Sequence, residues 1–148
     1  KAIYSTLSGD PHFYRIQSEE DFDFYSGILA AKIGDCALES KFSFEVLDSD
    51  FHLIYLADGE NFKWTPWYEE YGKQWYWNGP EIGQNFASNR VFKAGTYYIK
   101  VFNNANTGQY ILAVGDIEKF SLTDIVGLIF SMGEIENAFW ESKQCNSV

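Results

Sequence analysis

Turn signals recur along this sequence at intervals of about ten residues and separate short segments that have the pattern of strands. Residues 41–47 alternate most clearly, with Phe42, Phe44 and Val46 on one side and mostly polar side chains on the other. Such alternation is typical of a strand with one buried face. Some eight to ten such segments, without helices between them, predict a mainly β fold, an antiparallel β-sandwich. An aromatic content of 19% favours strands as well.

Two predicted strands stand out near the end of this series, at residues 96–102 and 109–115, with a polar loop between them. Each has an apolar face, and we expect the two strands to pair as a β-hairpin with these faces side by side. The residues of these faces are Tyr97, Ile99 and Val101 on the first strand and Tyr110, Leu112 and Val114 on the second.

The periodicity changes after residue 117. Ser121 followed by Asp124 has the form of a helix start, with a hydroxyl at the cap and an acid in the first turn. Apolar residues then recur at steps of three and four, which predicts an amphipathic helix within residues 118–142. The sequence therefore predicts one domain, residues 1–148, with sandwich strands in residues 1–117 and a helical segment packed on them. The periodic residues are Leu122, Ile125, Leu128, Ile129, Met132, Ile135 and Phe139.

Residues 62–77 form the most aromatic stretch of the chain, with eight aromatic residues in sixteen positions. Pro66 and Gly72 interrupt any regular period, so we expect a bent connection between two halves of the sandwich. Such a stretch can build a small core, offer flat platforms to a sugar, or anchor a protein contact. The side chains predicted to bind a ligand or partner are Trp64, Trp67, Tyr68, Tyr71, Trp75 and Trp77.

The formal net charge of −10 repels phosphate backbones, which argues against nucleic acid and anionic membrane surfaces as partners. No run reaches the roughly 18 apolar residues of a membrane span, so no span is expected within this chain. Proteins, copies of this chain and neutral polysaccharides remain as partners.

Acidic residues at predicted turns are possible ligands for calcium, which prefers six or more oxygen atoms. The candidates are Asp48, Asp50, Asp58 and Glu60, although their spacing matches no EF-hand loop. We expect no other cofactor. Cys36 and Cys145 lie too far apart in sequence for a short metal motif and could form one disulfide or remain two buried thiols.

Residue patterns of catalysis are scarce in this sequence. His12 and His52 fall in strand patterns, and the motifs of nucleophile elbows, phosphate loops and zinc proteases are absent. Glu69 and Glu70 are adjacent, so on a strand they face opposite ways and a glycosidase pair would require a bend. The sequence predicts a protein that is not an enzyme.

Three stretches carry a resemblance to known proteins. GTYYIKVFNNANTGQYILAVGD, residues 95–116, resembles the closing strands of the bacterial pre-peptidase C-terminal domain family, and HFYRIQ, residues 12–17, resembles its opening strand. The order WYEEY then WYW is similar to a group of uncharacterised secreted or surface proteins of bacteria and archaea that end in a helix. The resemblance implies a jelly-roll-like, non-catalytic, extracellular or cell-surface module, some relatives of which bind calcium or matrix polymers.

Three functions follow as hypotheses. A module for protein contact, adhesion or structural assembly would expose an apolar patch or edge to a partner or to its own copies. A carbohydrate-binding module would instead present two or three coplanar aromatic rings in a groove. A calcium-stabilised accessory domain of a larger secreted protein is the third hypothesis.

Overall fold

The structure is a computed structural model that describes residues 1–115 and 120–125. These residues form twelve strands and contain no helix. None of them therefore belongs to a helix long and apolar enough to cross a bilayer. The strands are β1 (Ala2–Ser8), β2 (His12–Ser18), β3 (Phe22–Asp23), β4 (Tyr25–Ala31), β5 (Ser43–Leu47), β6 (Leu53–Ala57), β7 (Thr65–Glu69), β8 (Gln74–Ile82), β9 (Val91–Phe92), β10 (Gly95–Phe102), β11 (Thr107–Gly115) and β12 (Ser121–Asp124).

The strands assemble into two five-stranded sheets and one two-stranded ribbon, and every pairing is antiparallel. We call the sheet with the order β1-β11-β4-β8-β7 sheet A and the sheet with the order β12-β2-β10-β5-β6 sheet B. The ribbon joins β3 to β9. The prediction of a mainly β, antiparallel fold is confirmed.

One hydrophobic core contains residues from both five-stranded sheets, as in a sandwich-like arrangement. Phe44 and Val46 of β5 enter it from sheet B, and Ile28 of β4 and Leu112 of β11 enter it from sheet A. All four side chains are almost fully excluded from solvent, so each contributes roughly 1.5–3 kcal/mol of burial free energy. The alternation that predicted β5 thus reports the buried face correctly.

The core also contains a polar network. The hydroxyl groups of Tyr14 and Tyr110 lie 2.5 Å apart, and the Tyr110 hydroxyl lies 2.7 Å from Nδ1 of His12. Both tyrosines are fully buried, so an unpaired hydroxyl there would carry a desolvation cost. His12 therefore has the structural role expected of a strand histidine with a satisfied hydrogen bond.

The predicted β-hairpin of residues 96–102 and 109–115 is wrong in its pairing, although both strands exist. β10 pairs with β2 and β5 in sheet B, whereas β11 pairs with β1 and β4 in sheet A. Their apolar faces meet across the core instead of lying side by side. The alternation of each strand is the same in both arrangements, so it could not distinguish them.

The predicted helix start at Ser121 is also wrong. Residues Ser121–Asp124 form β12, which pairs with β2 so that Leu122 lies opposite Ile16 and packs against the main core. Leu122 fits the period of a helix as well as that of a strand, and pairing with β2 favours the strand. Strands therefore extend past residue 117, and the rest of the predicted helix, up to residue 142, lies outside the described residues.

Candidate functional site

Residues 62–77, predicted as a bent connection, instead supply β7 and the first half of β8, which pair as an antiparallel hairpin. This hairpin lies at one edge of sheet A, where β8 pairs with β4 and β7 is the outermost strand. The turn between the strands is closed by Glu69, whose carboxylate accepts hydrogen bonds from the backbone N–H groups of Tyr71 and Gly72. The interruption at Gly72 is a tight turn.

The sequence Asn-Gly-Pro at residues 78–80 is typical of a turn, yet β8 continues through it to Ile82. Its partner β4 has a register irregularity between Gly27 and Leu29, opposite this point. Pro80 has no N–H to donate, and a bulge is a place where a strand tolerates that loss. The strand therefore accommodates a proline that the sequence pattern treats as a stop.

Trp64 belongs to the main core and not to a binding surface. Its side chain is buried, and its indole Nε1 donates a hydrogen bond of 2.9 Å to the carbonyl oxygen of Gly59. The ring lies directly over Gly79, where a Cβ atom would come within 2.4 Å of it. Only a glycine at position 79 therefore leaves room for the Trp64 ring.

Trp67 and Trp77 are partly buried and pack on two different clusters. Trp77 packs against the main core, whereas Trp67 packs with Tyr76 on a second cluster that includes Tyr4. The Trp67 ring lies 5.6 Å from that of Tyr76 and 4.9 Å from that of Phe86. Trp67 and Tyr76 thus belong to a small second core, whereas Trp77 does not.

Three of the six predicted residues are exposed, namely Tyr68, Tyr71 and Trp75. Tyr71 is 98% exposed at the tip of the hairpin, and Trp75 is 47% exposed beside Tyr68. The rings of Tyr68 and Trp75 lie 5.2 Å apart but are inclined by 53°. The Lys32 ammonium lies 5.8 Å from the Trp75 ring and 5.5 Å from the Trp77 ring. These rings therefore do not form one flat platform.

A second exposed apolar surface lies at β6, which the sequence analysis did not select. Leu53 is 55% exposed and Leu56 is 47% exposed, and Ile54 between them is exposed as well. Phe51, just before the strand, is exposed and stacks on Tyr98 with ring centroids 4.4 Å apart. The signal in the sequence was the run LIYLA, which lacks the polar positions of an ordinary half-exposed strand.

The inner side of β6 is anchored. Tyr55 donates from its hydroxyl to the carbonyl oxygen of Glu81 over 3.1 Å, and the Arg90 guanidinium lies 4.8 Å from the Tyr55 ring. Ala57 is buried in the main core. Val91, which is highly exposed, lines a surface cleft together with Ile54. We name the exposed group Phe51, Leu53, Ile54, Leu56 and Val91 the β6 patch.

An acidic turn precedes β6. The Asp48 carboxylate accepts hydrogen bonds of 2.9 Å from the backbone N–H groups of His52 and Asp50, which lower the pKa of its carboxyl. Potential metal-ligating atoms of Asp48, Asp50 and His52 lie within 4.8 Å of one another. The structure thus adds His52 to the two aspartates that the sequence selected here, and calcium stays a prediction.

A second acidic turn follows β6. The Asp58 carboxylate accepts from the Asn61 side chain over 2.7 Å and from the Glu60 backbone N–H over 2.9 Å. The Asn61 bond is the main reason that the pKa of Asp58 is lowered. Gly59 is required in this turn, because a Cβ atom there would lie 1.8 Å from the Phe42 carbonyl oxygen. The four predicted calcium ligands therefore divide into two pairs, one at each end of β6.

Cys36 is disulfide-bonded. Cys145, the only other cysteine of the sequence, lies outside the described residues, so the pairing of the two stays a prediction.

Glu69 is half-buried and Glu70 is exposed at the hairpin turn. Since the Glu69 carboxylate is held by two backbone N–H groups of that turn, it closes the hairpin, and the structure gives this residue a structural role.

No protein-family model matches this chain, and no curated protein matches it. The resemblance to the pre-peptidase C-terminal domain family therefore stays a prediction.

Proposed function

We propose that this chain is a non-catalytic, jelly-roll-like β-sandwich module of a secreted or cell-surface protein, and that it contacts another protein through the β6 patch. The strand order supports the jelly roll. Without the ribbon strands and the edge strands β7 and β12, the sheets read β1-β11-β4-β8 and β2-β10-β5-β6. Numbered along the chain, these are first-eighth-third-sixth and second-seventh-fourth-fifth, the order in which a jelly roll winds.

The observation that carries the proposed function is the exposed β6 patch. It places five large exposed apolar side chains on and beside β6, whereas most other aliphatic side chains of the described residues are buried. Monomeric proteins rarely leave contiguous apolar surface of this kind open, because covering it on association gains free energy. The patch therefore fits a contact with another protein.

The disulfide of Cys36 supports the extracellular location. Disulfides persist in oxidising compartments and are rare where thiols are kept reduced. The acidic net charge of −10 agrees with a module that avoids polyanions and stays dispersed in solution.

A peptide-display selection tests this function. Random peptides are selected on the wild-type protein and counter-selected on the Ile54→Lys/Leu56→Lys variant, with Tyr68→Lys as a matched control on the other edge strand. We expect enriched peptides that bind the wild type and Tyr68→Lys but not the double variant. Enriched peptides that also bind the double variant, or no enriched peptide at all, contradict the proposed function.

Carbohydrate binding is a second candidate, and the exposed pair Tyr68 and Trp75 is the observation in its favour. Sugar rings stack on single aromatic faces, but the inclination of 53° between these rings and the cation beside Trp75 leave little shared platform. Titration with soluble polysaccharides, followed by tryptophan fluorescence, tests it. A saturable shift that Trp75→Ala abolishes favours this candidate, and the absence of any shift rules against it.

A further inference from the structure

We infer that β6 accepts an extended segment of a second protein as an added strand, and that this segment has an apolar centre flanked by basic residues. This inference rests on the proposed function and specifies the chemistry of its partner.

Among the described residues, nothing pairs with the outer edge of β6, which is open to such a strand. Within residues 1–115 and 120–125, β6 pairs only with β5, so it is the terminal strand of sheet B. Alternate N–H and C=O groups of a terminal strand point away from the sheet and can pair with a new one. The exposure of Leu53, Ile54 and Leu56 leaves this edge accessible to a second chain.

β7, the terminal strand of sheet A, is protected against pairing with another chain, whereas β6 is not. β7 reads TPWYE, so Pro66 removes one N–H donor and Glu69 brings a charge, both of which discourage pairing. β6 reads LIYLA and contains neither a proline nor a charged residue. The edge at β7 is therefore protected against strand pairing, whereas the edge at β6 is suited to it.

Side chains of β6 favour an apolar partner. Tyr55 and Ala57 face the core side, so alternation places Leu56 on the opposite face of sheet B. The register shift between β5 and β6 interrupts the alternation at Ile54, which lines the cleft with Val91. An added strand would bring its own side chains beside Ile54 and Leu56, where β-branched and aliphatic residues pack well. The centre of the partner segment is therefore apolar.

Charge at the two ends of β6 selects the flanks of the partner. Asp48 and Asp50 lie before the strand, and Asp58 and Glu60 lie after it. Five residues of strand span about 17 Å, which separates the two acidic turns by the length of a short peptide strand. Basic residues on both sides of the apolar centre would therefore meet carboxylates at both ends.

Positive groups near β6 do not change this conclusion. Arg90 lies over the Tyr55 ring, and Lys93 forms an ion pair with Asp21 over 3.4 Å. Both therefore already have anionic or aromatic neighbours, and they line a cleft with Ile54.

Basic side chains also lie at the two ends of β6. His52 lies 3.5 Å from the Asp48 carboxylate, and Lys41 lines a cleft with Glu60. The four carboxylates outnumber these two basic side chains, so the ends remain acidic.

A second copy of this chain fits the edge poorly. In an antiparallel pair of β6 strands, the turn with Asp48 and Asp50 would face the turn with Asp58 and Glu60 of the copy. In a parallel pair, each acidic turn would face its own equivalent. Both arrangements place like charges together at both ends, which costs free energy on association.

Two nine-residue peptides with the same centre test the inference. Acetyl-Lys-Lys-Val-Thr-Val-Thr-Val-Lys-Lys-amide has basic flanks, and its twin has Glu in place of every Lys. We expect the basic peptide to bind at least about tenfold more tightly at low ionic strength and the difference to shrink in high salt. Binding is followed by fluorescence anisotropy of labelled peptides on the wild type, Ile54→Lys/Leu56→Lys and Asp50→Asn/Glu60→Gln.

The controls separate strand pairing from simple charge attraction. A basic peptide with N-methyl groups at alternate centre residues keeps its charge but loses the N–H donors on one edge, so we expect it to lose binding. Asp50→Asn/Glu60→Gln should weaken the basic peptide alone. Equal binding of the two twins, or full binding of the N-methylated peptide, overturns the inference.

The outcomes also separate this inference from the proposed function. If the display selection enriches peptides that require β6 but lack basic flanks or an extended form, the protein-contact function stands and this inference fails. If light scattering shows a dimer that Ile54→Lys/Leu56→Lys dissociates, the occupant is a second copy, and the inference fails as well.

Discussion

The hairpin β7–β8 and the strand β6 are both edge regions rich in large apolar side chains, yet they differ in how far these side chains are exposed to solvent. The hairpin and the residue just before it contain four of the five tryptophans, but Trp64 is buried, Trp67 and Trp77 are half-buried, and Pro66 protects the outer strand. β6 has no tryptophan and leaves its aliphatic side chains exposed. Aromatic density alone is therefore a poor guide to the surface available for contact, because position in the sheet decides exposure.

Trp64→Ala tests the buried end of the hairpin and should have the largest effect. It removes a core indole and its hydrogen bond to Gly59, so we expect a loss of about 3–5 kcal/mol in the free energy of unfolding. Chemical denaturation measures it. Trp75→Ala is the matched control, with an expected loss below about 1 kcal/mol because its ring is half exposed. Equal losses would remove the distinction between the two tryptophans.

Ile54→Lys/Leu56→Lys tests β6 as the contact edge. We expect at least about a tenfold loss of affinity for the basic peptide, since two contact side chains are replaced by cations that repel its flanks. Unfolding free energy should change little, because both side chains are exposed in the folded protein. Tyr68→Lys on the protected edge should retain affinity, and a comparable loss there would mean that the two edges are equivalent.

The acidic turn before β6 predicts a pH dependence. The hydrogen bonds from the His52 and Asp50 backbone lower the pKa of Asp48, so its ionised form stabilises the fold above the ordinary aspartate pKa. This contribution is lost as the pH falls through the lowered value, below about pH 4. Melting temperature measured against pH should fall less steeply for Asp48→Asn than for the wild type. Identical profiles would show that the turn does not depend on this charge.

Tyr71→Ser should have the smallest effect. The side chain is 98% exposed at the hairpin tip, and the turn is closed by the Glu69 carboxylate through backbone groups that the substitution retains. We expect a change within about 0.5 kcal/mol in unfolding free energy and no change in peptide binding. A measurable loss of binding would place the hairpin tip in the contact surface after all.

Local pattern predicted strands better than their partners. The alternation of Phe44 and Val46 located β5 and its buried face, because each side chain on a strand reports which side is apolar. The same kind of pattern at residues 96–102 and 109–115 suggested a hairpin, whereas β10 and β11 lie in different sheets. Alternation describes one strand at a time and carries no information about which strand pairs with it.

The candidate site shows the same limit. Trp64 and Trp75 belong to one aromatic run, and nothing in their neighbours ranks one above the other. Trp64 is buried because Gly79 leaves space under its ring and Gly59 offers a carbonyl oxygen, both of which are brought there by folding. The run LIYLA, by contrast, would fit a strand buried on both faces, and its exposure follows from its place at the end of sheet B.

The sequence by itself determined that this chain is mainly β, where strands such as β5, β10 and β11 lie, and that its turns at both ends of β6 are acidic. Only the tertiary structure decided which strands became edges and therefore which apolar side chains remained in water. The physical reason is that side-chain period and turn chemistry are properties of neighbouring residues, whereas exposure depends on the strand that does or does not arrive alongside. β6 has no strand on its outer side among the described residues, and that is why it is the candidate contact.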